Sequence, residues 1–445
     1  MESQNIMGTK KTLPLLLSMS LPVVLSMLIQ ALYNIVDSLW VTRLGTDALT
    51  AVSLAFPLQN IIMSAGVGMG IGISALVSIQ LGAGRREEAS RTASMGVALV
   101  LVHCVLFFLA GVFITKPFLR MFTDDPQIFA WACDYTQIVL CLSFGELIQM
   151  CFEKIFQGAG KMTTTMFLMA SGCIINMILD PILIFGMFGL PTMGVRGAAL
   201  ATVIGQIVAM VLYFIVYACK DIGLSIHPRY VSRDWNRIGE IYGVGIPSSL
   251  MLAMPSLLTG LLNGVLAGLG SVYVAVFGLY FKLQTFINMP ANGVVQGMRP
   301  IVSYNYGARK YDRVRQTISY STIIVAAITA LGTVIAMGFP RQVLTFLGAD
   351  AALLAAGVPA LRIIGISFLL STISLVACGV FEALGRGRTS LVISMLRQLV
   401  VLVPVGMVLS HFWGAVGIWL AFPIAEAVTL VPALGRMRQL ERELG

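Results

Sequence analysis

Apolar stretches of twenty or more residues, separated by short polar or charged turns, recur from Leu13 almost to the C-terminus. A helix needs about 20 predominantly apolar residues to cross the hydrocarbon core. The pattern therefore predicts membrane-spanning helices. With charged turns as boundaries, the spans fall near 14–42, 49–79, 92–115, 129–157, 163–187, 194–219, 238–266, 272–301, 315–339, 355–382, 389–411 and 414–434. Several exceed a perpendicular crossing, so tilt or kinking is expected. The polar stretch 220–237 is the widest break. It divides the chain into a first six-helix lobe, 1–219, a linker, 220–237, and a second six-helix lobe, 238–445.

Composition agrees with that division. The chain is 58% hydrophobic and 11% charged, whereas a soluble domain is roughly 25% charged. The apolar run after Lys10-Lys11 is about 28 residues long, beyond the h-region of a signal peptide, and reads as the first membrane helix. Seven cysteines lie mostly within apolar segments without a CxxC pair, and three histidines are far apart. Neither a disulfide framework nor a metal cluster is indicated, and no resident cofactor is expected.

Net charge +9 could point to nucleic acid, but its distribution reads differently. With the N-terminus placed in the cytoplasm, 19 of the 29 basic residues fall in cytoplasmic segments and five, Arg43, Lys116, Arg120, Arg196 and Arg341, in external ones. That is the positive-inside bias. It predicts a multi-pass protein of the inner (cytoplasmic) membrane with both termini cytoplasmic, surrounded by lipid and without a nucleic-acid partner.

The two halves repeat. A shift of 225 residues superposes Leu21-Pro22 on Ile246-Pro247, Gly45-Thr46 on Gly270-Ser271, Leu58-Gln59 on Leu283-Gln284, and Gly68 and Gly72 on Gly293 and Gly297. Phe156 through Lys161 meets Phe381 through Arg386, and a five-residue adjustment aligns Gly194, Gly197, Ala201 and Gln206 with Gly414, Gly417, Ala421 and Glu426. Six helices is an even number, so each half enters and leaves on one side and the repeats are parallel. The fold class is an all-α polytopic membrane protein: twelve transmembrane helices in two parallel-repeat six-helix bundles around a central cavity. Bundles that rock about such a cavity give alternating access, so a secondary transporter is expected.

A charge near the bilayer centre costs at least about 2.5 kcal/mol on insertion scales and needs a reason. Asp37 lies in the first span one turn after Tyr33; Asp180 lies in the fifth with Asn176 four residues earlier on the same face, followed by Pro181. Thr202 lies about 12 Å into the sixth span at the helical rise per residue. All fall in the outer half of one bundle. Two carboxylates, an amide and hydroxyls suit either Na⁺ coordination, at Asp37, Asn176 and Asp180, or a shared proton. The 225 offset places Leu262, Val401 and Val405 at the positions of Asp37, Asn176 and Asp180. Ion coupling is thus expected in the first half alone.

Other intramembrane polar groups are less specific. Gln59, Glu146, Lys282, Gln284 and Asn288, with the adaptable side chains of Met251, Met254 and Met289, are candidates to line the cavity. Glu146 could equally pair with a basic residue such as Arg397. Glu153, Lys154 and Glu382 read as structural. Proline often marks kinks in membrane helices; a bend at Pro22 would move the part of its helix that carries Asp37. Gly66-Val-Gly68-Met-Gly70-Ile-Gly72 reads as a small-residue packing face, because no strand–turn–helix surrounds it. Gly158-Ala-Gly160-Lys161 lacks the spacing of a P-loop. Energy must then come from an ion gradient, and no enzyme is indicated.

The residues resemble the multidrug and toxic compound extrusion (MATE) transporters over nearly the whole chain. The likeness rests on Pro22 with Tyr33-Asn-Ile-Val-Asp37 and the Arg43-Leu-Gly45 turn, on Ala83-Gly84-Arg85, and on Asn176-Met-Ile-Leu-Asp180-Pro181. It extends to Gly197-Ala-Ala-Leu-Ala-Thr202 and to Pro300 through Ala308. The resemblance implies a V-shaped pair of bundles exporting amphipathic, often cationic, organic compounds in exchange for H⁺ or Na⁺. A monomer is expected. It implies a cation site at Asp37, Asn176, Asp180 and Thr202, and a helix bend at Pro22. One branch of the family uses acids in the seventh and tenth helices instead; here those helices carry only Glu240 and Glu382, at their cytoplasmic ends. A lipid-linked oligosaccharide flippase of the same superfamily would line its cavity with arginines, for which only Arg299, Arg362 and Arg397 are candidates. An integral membrane enzyme would need a His-rich motif, paired Asp signature or nucleophile elbow, and a channel would not need the kink prolines.

Overall fold

The turns between helices are set by glycines in the left-handed region, and these recur at the spacing of the repeat. Gly45 (φ +111°) and Gly270 (φ +143°) occupy equivalent turns, as do Gly160 (φ +80°) and Gly385 (φ +75°). Glycine adopts this backbone without a Cβ penalty. The position equivalent to Gly84 (φ +74°) is held by Arg309 (φ +56°), which bears that penalty.

A computed structural model describes residues 6–231 and 233–445, and no strand occurs among them. The helices are α1 (Thr12–Thr42), α2 (Thr46–Gly82), α3 (Arg86–Phe113), α4 (Thr115–Leu119), α5 (Pro126–Cys141), α6 (Phe144–Gly158), α7 (Met162–Phe185) and α8 (Val195–Cys219). After the 220–234 connection come α9 (Trp235–Leu269), α10 (Ser271–Gly307), α11 (Tyr311–Gly338), α12 (Pro340–Phe346), α13 (Ala351–Ala383), α14 (Gly387–Met395), α15 (Leu402–Trp413) and α16 (Ala415–Glu443). Eleven helical spans among the described residues are long and apolar enough to cross a bilayer.

The remaining span, expected at 129–157, is divided into α5 and α6 at Leu142-Ser143. It also starts earlier. Asp125 accepts from the Gln127 and Ile128 N–H groups, and Pro126 needs no donor at the first helical position. The break coincides with Ser143 and Gly145, both weak helix formers. The span expected at 389–411 is also interrupted, by a π-helical turn over Leu396–Val401 between α14 and α15. Pro404, without an N–H, leaves the Val400 carbonyl without its ordinary helical donor, and the ladder loosens there.

Packing divides the chain into two compact units: residues 25–249, and residues up to Val24 with 250–445. The borders fall inside α1 and α9, at positions related by the repeat offset. In the first unit, α2 packs on α6 through Gly66, which faces Leu147 and Met150, and Gly70, which faces Lys154. Gly68 and Gly72 on the other side face the α9 backbone at Ile241, Gly245 and Ser249. The glycine run is a two-sided packing face, as its sequence predicts. The connection into α9 is docked on α3: Ser225 and His227 donate their N–H groups to Ser90 and Ser94 at 3.0 and 3.1 Å.

The second unit is centred on Phe277, Tyr280, Phe368, Trp419 and Phe422, with Leu262 and Leu266 of α9. Here α10 meets the start of α1 through Gly293, against Val24, and Gly297, against Ser20. Large apolar side chains face outward on many helices: Leu32 is 59% exposed and Leu39 60%. Such a surface is stable against lipid tails and not against water.

Candidate functional site

Close approach of α7 and α8 builds the site. A Cβ on Gly205 would lie 2.8 Å from the Gly172 carbonyl and 3.1 Å from Asn176 Cβ. With only hydrogen there, the helices come near enough for Asn176 Nδ2 to donate to Thr202 Oγ1 at 3.3 Å. Thr202 in turn donates to the Ala198 carbonyl at 3.1 Å. Asp180, one turn beyond Asn176, is fully buried, and Asn176 and Thr202 are nearly so.

Asp37 reaches this cluster from α1 and lies within electrostatic range of Asp180. Tyr33, one turn earlier, faces Thr202, Asp37 and Asp180. Gln59 of α2, assigned from sequence to a cavity, points here too: its Nε2 donates to Tyr135 Oη at 3.3 Å. Tyr135 of α5 is buried beside Asp37. Sequence reading missed it. The signal was available in the repeat, since the residue 225 positions later is Ala360.

The cluster has a surplus of acceptors. Asp37 Oδ1, Asn176 Oδ1 and both carboxylate oxygens of Asp180 are buried without a hydrogen-bond partner among the described residues. Buried polar atoms are ordinarily paired, and each orphan costs about 1–3 kcal/mol. A set of hard oxygens with two carboxylates matches a proton or a small monovalent cation. Groups of three or more His, Cys, Asp or Glu suited to a transition metal are absent among the described residues.

The other candidates are dispersed. Glu146 of α6 faces Gln206 of α8, one turn past Thr202. Gly145, packed against Ile207, brings those helices together. Arg397 pairs with Glu426 at 3.6 Å, so the alternative of a Glu146–Arg397 pair is not realised. The reason is positional: Arg397 and Glu426 lie on neighbouring helices of one unit. Met254 is 4% exposed and packed into protein, whereas Met251, Gln284, Asn288 and Met289 are half-buried and Lys282 is exposed. Pro22 lies within an unbroken α1. A cavity of about 380 Å³ in the second unit lies between α11, α13 and α16 and is lined by Arg315, Ile318, Ile373, Met437 and Glu441, none of them a predicted site residue.

The structural charges are closed. Lys154 meets Glu153 at 3.1 Å, and Gln157 bridges both. Arg299 pairs with Glu382. Two of the three arginines available to a pyrophosphate are thus held by carboxylates, which disfavours the flippase reading.

A family model described as MatE matches residues 22–182 and again 247–408, together more than half of the chain and in register with the internal repeat. The multidrug export protein MepA of Staphylococcus saprophyticus is 26% identical over 416 residues, covering 93% of this chain and 91% of MepA. The probable multidrug resistance protein YoeA of Bacillus subtilis is 27% identical, covering 94% and 92%. The outward-facing structure of a multidrug resistance MATE family transporter superposes with a TM-score of 0.90 at 25% identity, over 98% of both chains. With the duplicated helices, the apolar surface and the matches in both halves, the chain belongs to the MATE family of multi-pass membrane transporters and is not an enzyme.

Proposed function

We propose that this protein is a cation-coupled antiporter that exports amphipathic, often cationic, organic compounds by alternating access. The observation that carries this reading is the set of partnerless oxygens of Asp37, Asn176 and Asp180 in the first unit. A proton or Na⁺ entering there relieves the repulsion between the two carboxylates and supplies the missing partner. The binding energy of the ion is then available to shift an equilibrium between two states, by as much as its affinity differs between them. Helix α1 is suited to transmit the shift, because it carries Asp37 in one unit and begins in the other. The names of the relatives, multidrug export protein MepA and probable multidrug resistance protein YoeA, support the substrate class. The bias of basic residues supports cytoplasmic termini in an inner membrane, with the cluster toward the outer face.

The test is ethidium transport in proteoliposomes under an imposed pH gradient or an imposed Na⁺ gradient, each without the other. Wild-type protein should respond to one of them. Asp37→Asn and Asp180→Asn should fold normally and lose at least about tenfold in transport, since each removes a charge used in every cycle. Full transport by both variants would end this reading. A strict Na⁺ requirement would assign the coupling ion against the proton.

A further inference from the structure

We propose that Glu426 is a second cation-recognition point, in the second unit, at which a cationic group of the transported compound displaces Arg397. This deepens the export reading and rests on it.

Glu426 lies eleven residues into α16, deep in an apolar span. Its partner Arg397 is carried by the π-helical turn Leu396–Val401. Their nearest approach, Nε to Oε1, is 3.6 Å. The other carboxylate oxygen, Oε2, is buried without a hydrogen-bond partner among the described residues. Tyr280, only 1% exposed, faces Ser367 and lies within electrostatic range of both members of the pair.

A buried ion pair stabilises a fold only when its geometry is good and its remaining lone pairs are satisfied. The Lys154–Glu153 pair meets that standard, closed on both sides by Gln157. The Arg397–Glu426 pair does not. It is long, and it leaves the acceptor Oε2 unused. Its side chains retain 19% and 14% exposure, so it is not sealed from the surroundings.

The repeat provides an internal control. The counterpart of Glu426 in the first half is Gln206, a neutral amide, in an otherwise similar run of Gly, Gly, Ala and amide. Packing at this helix position therefore does not require a charge. The carboxylate of Glu426 has been added to a scaffold that stands without it.

The surroundings define the ligand class. Phe422, one turn before Glu426, packs edge-on against Tyr280 with ring centroids 5.3 Å apart, and Phe368 and Phe277 stack on the same tyrosine. These rings are core, and Glu426 at their edge offers a lipophilic organic cation a carboxylate in apolar surroundings. An anionic compound would meet the carboxylate unfavourably. The π turn gives Arg397 a way to withdraw: relaxing one extra residue into α register rotates the chain by about 100°. In the free protein Arg397 neutralises Glu426; in the loaded protein the substrate cation takes its place.

Opposite effects of two substitutions test this. Ethidium binding to the purified full-length protein in nanodiscs is measured by fluorescence, with the neutral dye Nile red for comparison. Glu426→Gln should weaken ethidium binding by about tenfold or more, whereas Arg397→Gln should tighten it severalfold by removing the competitor. Nile red binding should change by less than twofold in both. If both variants weaken ethidium alike, the pair is structural and the inference falls. Unchanged ethidium binding in a folded Glu426→Gln also overturns it, while export driven through Asp37 would still stand. Should Glu426→Gln fail to fold, the direction of the Arg397→Gln effect decides. Wild-type protein that neither binds nor exports ethidium would overturn the export reading, and this inference with it.

Discussion

Gly68 of α2 lies so close to Ser249 of α9 that a Cβ would run into the Ser249 side chain and backbone. The repeat reproduces this contact at Gly293 of α10, against Val24 of α1. Each half thus lends the beginning of its first helix to the unit built mainly from the other half, and the crossings are sealed by glycine. Insertion of a side chain into such a contact costs about 1–3 kcal/mol. Gly68→Leu and Gly293→Leu should therefore lower the unfolding temperature in detergent, and by similar amounts. Gly243→Ala, on α9 with open space around it, should leave it unchanged. A wild-type melting curve for Gly68→Leu would refute the packing role.

The proposed cation cluster depends on the same device. Gly205→Val should push α8 off α7, separate Thr202 from Asn176, and reduce ion-driven transport at least about tenfold, because a 1 Å displacement of a positioned group has effects of that order. Gly239→Ala, a glycine in open space, should transport normally. Equal rates would show that the α7–α8 spacing does not set the cluster.

A backbone cost is visible at Arg309. Left-handed backbone costs a side-chain-bearing residue roughly 1–2 kcal/mol, partly offset by the greater unfolded-state freedom of glycine. Arg309→Gly should raise stability by up to about 1 kcal/mol in thermal unfolding, and Gly84→Arg at the equivalent turn should lower it. A destabilised Arg309→Gly would mean that the arginine side chain outweighs the backbone penalty.

The connection between the halves should loosen in acid. The Arg237 N–H, and then its guanidinium, hold the half-buried Asp234 carboxyl below the usual aspartate range. Arg237 also binds Glu88 and Thr92 of α3. A lowered pKa in the folded state means the contribution is present above the ordinary aspartate value and lost as pH falls through the lowered one. Proteolysis within 228–234 should accelerate below about pH 4 in the wild type, and Asp234→Asn should be cut at the faster rate already at neutral pH. The same rate for both proteins at pH 7 would discount the contact.

Much of the molecule was legible in the chain because lipid imposes a strong code. Backbone groups must be satisfied within each segment, so the apolar runs had to be helices, and the 225-residue offset fixed two equivalent sets of them. The acids were equally conspicuous, since Asp37 and Asp180 stand in apolar surroundings where a charge is costly. Their one-sidedness followed from Leu262 and Val405 at the twin positions. Tertiary structure decided what periodicity does not encode. Residues 135 and 59 joined the cluster because α5 and α2 happen to pass it, a matter of helix packing and not of local sequence. Gly172 and Gly205 determined how near Asn176 and Thr202 could come. Arg397 took Glu426 as its partner over Glu146, since a buried charge pairs with the carboxylate its own bundle brings within reach. The exchange of the α1 and α9 beginnings was likewise invisible in a linear reading, because it depends on which glycines face a neighbouring backbone closely enough to exclude a side chain.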